Sequence, residues 1–464
     1  MAFTRAHILP RQLATPVSLA VLGLVHLWFL TVSAHRIGDP YTGSASVFVT
    51  GCGDFEHFYS GARAMRDGLD LYSSGMRGYI YPPLIAFLFA PLTFFTVQIA
   101  AWIMLVLNLA LGLTCAWVMS AEVMRRLGND TSFNRVVVVT AVTTLLSATK
   151  LRSEIQMWQT NLLLMTALVF ALRFLDERPR LAGLLLGLAF NIKYLPIVFL
   201  PYLIGRKRYA AAAWFVIGIV AFAFAPAMMS GWKLNLHHWA EALSGIASLV
   251  GIPTTAAQAA NVDPITAGHS LSITSGLSRI MATDAPPSAP LAVAAAVALV
   301  TALMLRHVYA KWRKPLTGWP DAEGQVAQPY RGMIALEWSA LVTLVLAFSP
   351  QTNPRHTSML LMTFAPLAAM LCFPKPGVFR WPALAATAIL FFGLNLPPNI
   401  PELIGQLAWW RGVGGAGWCM VLMLPFYFVA GFMQLDAPGN ARGKSSSMDQ
   451  RWQAAYGDTE SAAQ

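Results

Sequence analysis

The sequence predicts an all-α integral membrane protein, and three observations support that fold class. Of the 464 residues, 56% are hydrophobic and only 11% are charged, and the mean hydropathy is +0.55. Long apolar runs recur along the chain, and about 20 mainly apolar residues suffice for a helix that crosses a bilayer. Short basic segments separate these runs. Soluble globular domains do not combine these features.

Eleven apolar runs mark the predicted membrane helices. They lie at roughly 16–34, 98–121, 135–149, 160–175, 181–204, 209–230, 288–305, 333–349, 357–373, 381–396 and 416–435. The first run, with Arg5 and Arg11 upstream, also fits a signal peptide cleaved after Ala34. Its length and the many runs that follow favour an uncleaved anchor.

The run 181–204 is interpreted as two short helices that break around residues 191–193 and return to the side they came from. Basic residues flank it at 178–180 and at 206–208. A single crossing would place these clusters on opposite sides and leave Lys193 inside the bilayer, which is costly. We therefore expect about 12 membrane segments, with both termini in the cytoplasm.

The net charge of +11 is interpreted as a sign of topology, not of nucleic-acid binding. Under the proposed topology about two thirds of the 32 Lys and Arg residues face the cytoplasm, as the positive-inside rule expects. The basic residues are scattered between apolar runs and do not form one soluble face. The segment 82–97, entered through Pro82 and Pro83, is expected to lie at the outer membrane interface without crossing.

Residues 1–435 are expected to form a single membrane domain with two large outer loops, at 35–81 and 231–287. The tail 436–464 lacks the apolar content to fold and is expected to be a disordered cytoplasmic extension. The four cysteines, Cys52, Cys115, Cys372 and Cys419, show no paired or metal-type spacing. We predict no disulfide framework.

The first outer loop contains the stretch "GCGDFEHFYSGARAMRDGLDLYSSGMRGYIYPP", residues 51–83. Apolar residues recur in it at helical spacing from Phe55 to Met65, and Gly68 ends the pattern. This pattern predicts a short amphipathic helix on the outer membrane surface. Asp54 then occupies the N-cap position, and one interpretation is that it only caps this helix.

The other interpretation of Asp54 is chemical. A carboxylate at the boundary between lipid and water is placed where a lipid-linked substrate presents its head group, and it can act as a general base. Four further side chains of this loop are candidate substrate ligands: Glu56, His57, Tyr59 and Tyr81. Aromatic rings are also common at any membrane interface, so they indicate a sugar site only weakly.

The stretches "DFEHFYSGARAMRDGLDLY" (54–72) and "YIYPPLIAFLFAPL" (79–92) resemble glycosyltransferase family 87. These are polyprenol-phosphate-mannose-dependent mannosyltransferases of the GT-C superfamily. Three further stretches extend the resemblance over roughly residues 50–370: "QTNLLLM" (159–165), "AGLLLGLAFNIKYLP" (182–196) and "SPQTNPRHTSMLLM" (349–362). The second outer loop does not match, which leaves the acceptor open.

The resemblance implies a GT-C-like bundle and a transfer reaction outside the cytoplasmic (inner) membrane. A hexose, in this family mannose, would move from a polyprenyl phosphate to a lipid or glycan acceptor, with Asp54 as the catalytic base. Direct displacement needs one base and inverts the anomeric configuration. No cofactor is implied. Donor, acceptor and membrane lipids would be the partners.

Expulsion of a phosphate requires cations near the developing charge, and Lys193, Arg355 and His356 are the predicted donor-phosphate ligands. Gln159 and Asn161 are candidate substrate ligands that can equally well hydrogen-bond neighbouring helices. Lys150 and Arg152 lie outside against the charge trend, so they are candidates for binding a lipid phosphate. The histidines show no metal-ligand spacing, so we predict a metal-independent reaction.

Two other classes of protein remain open at this level. A transporter or lipid flippase also has many spans, broken helices and an intramembrane lysine. A non-catalytic scaffold for envelope assembly would keep the same fold. The concentration of polar and aromatic residues in one outer loop favours the enzyme.

Overall fold

A computed structural model describes residues 11–37, 52–73, 79–249, 252, 262–281, 288–318, 321–322, 325–326, 328–396 and 404–437. Nearly all of the regular structure in these residues is helical. The helices are α1 Arg11–Ala34, α2 Phe55–Arg66, α3 Pro83–Phe89, α4 Val97–Arg126, α5 Phe133–Gln156, α6 Asn161–Phe174, α7 Pro179–Ile192, α8 Phe199–Gly205, α9 Tyr209–Phe224, α10 Ala227–Ser230, α11 Trp232–Leu249, α12 Ile273–Met281, α13 Ser288–Lys311, α14 Gln328–Phe348, α15 Leu361–Cys372, α16 Trp381–Asn395, α17 Ile404–Gly412, α18 Gly415–Leu422 and α19 Leu424–Asp436.

Short 3₁₀ helices and one small strand pair complete the described structure. The 3₁₀ helices are Ala90–Phe94, Leu195–Val198 and His356–Leu360. The antiparallel strands Asp321–Ala322 and Gln325–Val326 form the pair. Residues 438–464 lie outside the described part, as do 38–51 and 74–78 of the first outer loop and 250–251, 253–261 and 282–287 of the second.

The predicted all-α, multi-span fold class is confirmed, because every predicted apolar run coincides with a helix or a helix pair. Seven helices of the described residues are long and apolar enough to cross a membrane. These are Leu13–Ala34, Val97–Arg126, Phe133–Gln156, Tyr209–Ser230, Ser288–Lys311, Tyr330–Phe348 and Gly415–Asp436. The other five predicted segments are shorter apolar helices, so the total of about 12 crossings stays a prediction.

The break in the run 181–204 lies where the sequence places it. Helix α7 ends at Ile192, and Lys193 has extended backbone (φ −150°, ψ 145°) before the next helical turn begins at Leu195. Arg208, which follows α8, contacts Asp176, which precedes α7, with 2.9 Å between Nη2 and Oδ1. The chain therefore returns to the end of the bundle from which α7 starts, and Lys193 lies at the opposite end.

Helices α7 and α9 pack with almost no space between their backbones. Gly183 and Gly187 form a small-xxx-small pair on α7, and a Cβ on Gly187 would lie 2.6 Å from the Cα of Gly218 on α9. Small residues at such positions allow membrane helices to approach closely. This contact fixes α7, and with it the position of Lys193.

Gly187→Ala is expected to destabilise the protein, because the obstructing atoms belong to the α9 backbone and cannot turn aside. Overpacking of this kind costs about 1–3 kcal/mol. Thermal unfolding in detergent measures the effect. Gly205→Ala is the matched control, since a Cβ at Gly205 meets nothing within 4 Å. Equal midpoints for the two variants would contradict the close approach.

One end of the bundle holds buried ion pairs among the segments predicted to be cytoplasmic. Arg126 is fully buried and pairs with Glu122 and with Asp176, the latter at 3.0 Å. Arg206 pairs with Glu337 on α14. Removal of one partner from such a buried pair strongly destabilises the fold, because it leaves the other charge buried and uncompensated. These pairs therefore hold this end of α4, α6, α8 and α14 together.

The opposite end carries the predicted amphipathic helix, and its bounds confirm the prediction. Helix α2 buries Phe55, Phe58, Ala62 and Met65. It packs on α3 and on the 3₁₀ helix after it, where Arg66 Nη1 donates to the Thr93 carbonyl at 3.0 Å. The location of α2 and of segment 82–97 at the membrane surface stays a prediction.

Candidate functional site

At the α2 end of the bundle, polar side chains from distant parts of the chain converge on Asp54. Its carboxylate accepts a hydrogen bond from Gln159 Nε2 and pairs with Arg355 Nη1. Asp54 is the N-cap residue of α2, but its side chain makes no capping hydrogen bond. The capping interpretation is therefore wrong, and the carboxylate is turned towards the bundle.

A second group of polar side chains surrounds Lys193, which is only 8% exposed. Its ammonium donates to Asn161 Oδ1 at 2.6 Å and lies 3.1 Å from His356 Nε2. The same nitrogen is 5.2 Å from the centroid of the Tyr81 ring, a cation–π distance. A buried lysine with these partners presents a fixed positive charge.

Gln159 and Tyr81 join the two groups. The Tyr81 hydroxyl donates to Gln159 Oε1 at 3.2 Å, while the other end of the same amide contacts Asp54. Burial and the nearby Glu154 carboxylate raise the pKa of Tyr81, so its hydroxyl stays protonated and remains a donor. Arg355 directly precedes His356 in the chain and contacts Asp54, so the contacts close into a ring around the site. The members of this ring of contacts are Asp54, Gln159, Tyr81, Lys193, His356 and Arg355.

The turn between α5 and α6 orients Gln159 and Asn161. Trp158 is fully buried and has a left-handed backbone (φ 48°), and its indole donates to the Ala101 carbonyl at 3.0 Å. A bulky residue in this conformation is strained and persists only where its surroundings hold it. The Gln159 carbonyl also accepts from Asn108 Nδ2 at 3.3 Å.

Glu154 belongs to this site although the sequence analysis did not select it. It is completely buried, and it accepts hydrogen bonds from the backbone N (2.8 Å) and Nδ2 (2.7 Å) of Asn161. The sequence contains one signal for Glu154, a carboxylate at the end of an apolar helix. Ionisable residues in such segments are functional candidates by default.

The remaining candidates of the first outer loop have other partners. Glu56 is 2% exposed and accepts from the backbone N of Cys52 at 3.2 Å. The Tyr59 hydroxyl donates to the Phe95 carbonyl at 2.7 Å. Burial lowers the pKa of His57, which favours a neutral imidazole. Substrate binding by these three residues stays a prediction.

Lys150 and Arg152 lie on another side of α5, away from the ring of contacts. Lys150 donates to the Leu394 carbonyl at the end of α16 (2.7 Å), and the Arg152 guanidinium lies 5.3 Å from the Trp28 ring on α1. Lys150 is also within electrostatic range of Arg152 and Arg411. In the described part of the chain, none of these three cations has an acidic partner.

A small apolar cavity of about 10 Å³ lies close to the segment that follows Lys193. Leu195 and Pro196 bound it just after the lysine, and Met359 bounds it just after His356. Side chains of α6 and α14 form the rest of the wall: Leu164, Leu168, Val342, Val345 and Leu346, with Val198 and Phe199. The side chains that line this cavity are all apolar.

Within the described ranges, no three His, Cys, Asp or Glu side chains lie close enough together to ligate one metal ion. His237 and His238 of α11 approach Asp70 Oδ1 at 3.8 and 3.5 Å, which docks the second outer loop on the first. All four cysteines are free thiols, and Cys52, Cys115 and Cys419 are buried.

Comparison with known proteins gives one family and two relatives. The model of glycosyltransferase family 87 matches residues 79–321, just over half of the chain. Polyprenol-phosphate-mannose-dependent alpha-(1-2)-phosphatidylinositol mannoside mannosyltransferases of Mycobacterium tuberculosis and Mycolicibacterium smegmatis are 30% and 28% identical over 215 and 210 residues. These alignments cover 41% and 40% of this chain and 48% and 46% of the relatives.

The chain thus spans about half the length of the curated relatives it matches. Tyr81, Gln159, Asn161 and Lys193 lie inside the family match, and Asp54 and the pair 355–356 lie outside it. The resemblance predicted over 50–370 is therefore confirmed for the family, over a shorter range.

Proposed function

Because the chain belongs to glycosyltransferase family 87, we propose that it transfers mannose from a polyprenyl-phosphate donor to a lipid or glycan acceptor. The names of the two mycobacterial relatives support this donor. One observation carries the proposal: a carboxylate and a buried ammonium are held side by side through Gln159 and Tyr81. A transferase of this class needs both, a base for the acceptor and a cation for the phosphate.

In the proposed reaction, an acceptor hydroxyl attacks the anomeric carbon of the donor from the face opposite the phosphate. Asp54 takes the hydroxyl proton as the new glycosidic bond forms. The bond between the anomeric carbon and the phosphate oxygen breaks, and polyprenyl phosphate leaves with the electron pair. One displacement inverts the configuration, so a second carboxylate is not required.

The phosphate of the donor is proposed to bind at Lys193, with His356 and Arg355 beside it. Fixed cations stabilise the charge that develops on the leaving group, and they need no metal ion for this. Arg355 reaches Asp54 and adjoins His356, so the same guanidinium is placed between base and phosphate.

We place the reaction on the outer face of the cytoplasmic membrane, with about 12 crossings and both termini inside. The buried ion pairs lie at the end of the bundle where the predicted cytoplasmic segments meet. Asp54 and Lys193 lie at the other end. The excess of Lys and Arg in the predicted cytoplasmic segments supports this orientation.

The acceptor is proposed to be an anionic glycolipid, as the names of the two mycobacterial relatives suggest. Lys150, Arg152 and Arg411 can hold its phosphodiester at the lipid boundary. Helix α5 rises about 1.5 Å per residue, so Lys150 lies about 10 Å from the Met157 end of the helix. At that end Arg36 contacts Met157, which lies beside Gly53 and Asp54. The distance of about 10 Å along α5 between Lys150 and this end leaves room for the sugars of a head group.

Arg152→Gln is expected to raise the KM for an anionic glycolipid acceptor about five-fold, because one juxtamembrane cation contributes about 1 kcal/mol. The KM for the donor should not change. Arg180→Gln is the matched control, since Arg180 also lies over a tryptophan (Trp214, 5.9 Å) but at the opposite end of the bundle. An equal effect of both variants on acceptor KM would contradict the acceptor site.

The test of the proposed function uses purified protein in liposomes with radiolabelled mannosyl polyprenyl phosphate and extracted envelope lipids. The label should move to an acceptor lipid and disappear from the donor. Transfer from a nucleotide sugar alone would overturn the donor assignment. Intact donor crossing the bilayer without cleavage would support the flippase alternative instead.

A further inference from the structure

The proposed reaction leaves Glu154 without a role, although it is the completely buried carboxylate nearest to Lys193 along the hydrogen-bond chain. An uncompensated buried charge is costly, so a carboxylate in this position needs strong partners. Its two oxygens accept from the backbone N and the side-chain amide of Asn161. Asn161 then contacts Lys193.

Resting on the proposed function, we propose that Glu154 is a positioning residue that orients Asn161 and keeps the Lys193 ammonium charged and in place for the donor phosphate. Glu154 acts through these two residues and does not touch the substrate. The proposal adds a carboxylate to the site whose task is electrostatic, distinct from the base Asp54.

The geometry of Asn161 supports the orienting role. A carboxylate only accepts hydrogen bonds, so Glu154 requires the NH₂ group of the Asn161 amide to face it. The amide oxygen must then point the other way, and it accepts from Lys193 at 2.6 Å. Without Glu154 the amide is free to turn, and its NH₂ group would oppose the ammonium.

The charge of Glu154 supports the second role. Lys193 lies in the break between α7 and the next helix, where burial lowers its pKa and the Glu154 carboxylate raises it. Two other titratable groups face the ammonium, His356 and Tyr81, and Arg355 and Asp54 lie beyond them. Among the described groups in contact with Lys193 none is a carboxylate, and Glu154, linked to it through Asn161, is the carboxylate that we assign as its counter-ion.

The experiment is the pH profile of kcat/KM for the donor, which reports ionisations of the free enzyme. Lys193 must be protonated to bind phosphate. Loss of the Glu154 charge lowers the pKa of Lys193 further, so the alkaline limb of the profile moves to lower pH. For Glu154→Gln we expect the alkaline limb to shift by about one pH unit, which gives a loss approaching about ten-fold at pH values above the wild-type limb and a much smaller loss at pH 6.

Two variants separate this role from mere structural support. Glu154→Asp keeps the charge and should keep the alkaline limb near that of the wild type. Asp436→Asn, at the opposite end of the bundle, should leave the profile unchanged. A loss in Glu154→Gln that is equal at every pH would show a structural role and overturn the proposal.

A double variant keeps the test decisive if Glu154→Gln alone does not fold. Glu154→Gln/Lys193→Gln removes both charges, so no unpaired ion remains buried. If Glu154 acts through Lys193, the double variant has the same donor kcat/KM as Lys193→Gln. A further loss of about ten-fold or more would overturn the proposal. Absence of transfer by the wild type would instead refute the proposed function itself.

Discussion

Asp54→Asn is expected to abolish sugar transfer in a protein that still folds. The asparagine amide has the shape of the carboxylate but cannot take a proton, and general base catalysis contributes about 10²- to 10⁴-fold. We expect kcat to fall by about 10³-fold with little change in donor KM. Initial rates of transfer, together with size-exclusion profiles, measure both effects.

Asp67→Asn is the matched control for this prediction. Asp67 lies at the C-terminal end of the same helix, half-exposed, and pairs with Arg63 and Arg66 on the helix surface. Its loss should leave transfer within about two-fold of the wild type, because exposed ion pairs contribute little. Wild-type rates in Asp54→Asn would show that the base is another carboxylate, with Glu56 the next to test.

Lys193→Gln is expected to lower kcat/KM for the donor by about 10²-fold or more. A buried ammonium aimed at a leaving phosphate acts mainly in the transition state, and loss of one such donor typically costs 10²–10³-fold. Lys193→Arg should recover only part of the activity, since a planar guanidinium cannot occupy the space of an ammonium between Asn161 and His356.

The control for Lys193 is Lys314→Gln, at the opposite end of the bundle, where Lys314 pairs with Asp436. Donor and acceptor are varied separately in the measurement. Lys193→Gln should change the donor parameters and leave acceptor KM almost unaffected. A change confined to acceptor KM would contradict the assignment of Lys193 to the donor phosphate.

Most of the helical architecture could be predicted because long apolar runs report membrane helices directly. The reversal at residues 191–193 was also predictable, since basic clusters on both flanks cannot lie on opposite sides. The contacts that fix this reversal were not predictable from the sequence. Gly187 against Gly218 joins two helices, and no local pattern on α7 shows which helix faces it.

The candidate site was predictable in its members but not in its pairing. Asp54, Lys193 and Gln159 were selected as polar residues beside apolar sequence, and the structure brings them together. Arg355 was assigned to the phosphate alone, whereas it pairs with Asp54. Which distant polar groups meet depends on the packing of whole helices, and a single sequence does not contain that information.

Glu154 and Trp158 show a second limit. Glu154 follows two basic residues at a helix end, where a carboxylate is commonly a solvated charge, and only the fold shows that it is buried. Trp158 lies in the turn between α5 and α6, and only the fold shows that it is buried and has a left-handed backbone. Strain of this kind has no signature in composition or periodicity.

The measurement that tests the account most directly is the stoichiometry of free polyprenyl phosphate released per mannose transferred, in the wild type and in Asp54→Asn. We predict one polyprenyl phosphate per mannose in the wild type, and neither product in folded Asp54→Asn. Release and transfer that continue in Asp54→Asn would contradict the assignment of the catalytic base. Transfer of mannose without release of polyprenyl phosphate would contradict the proposed reaction.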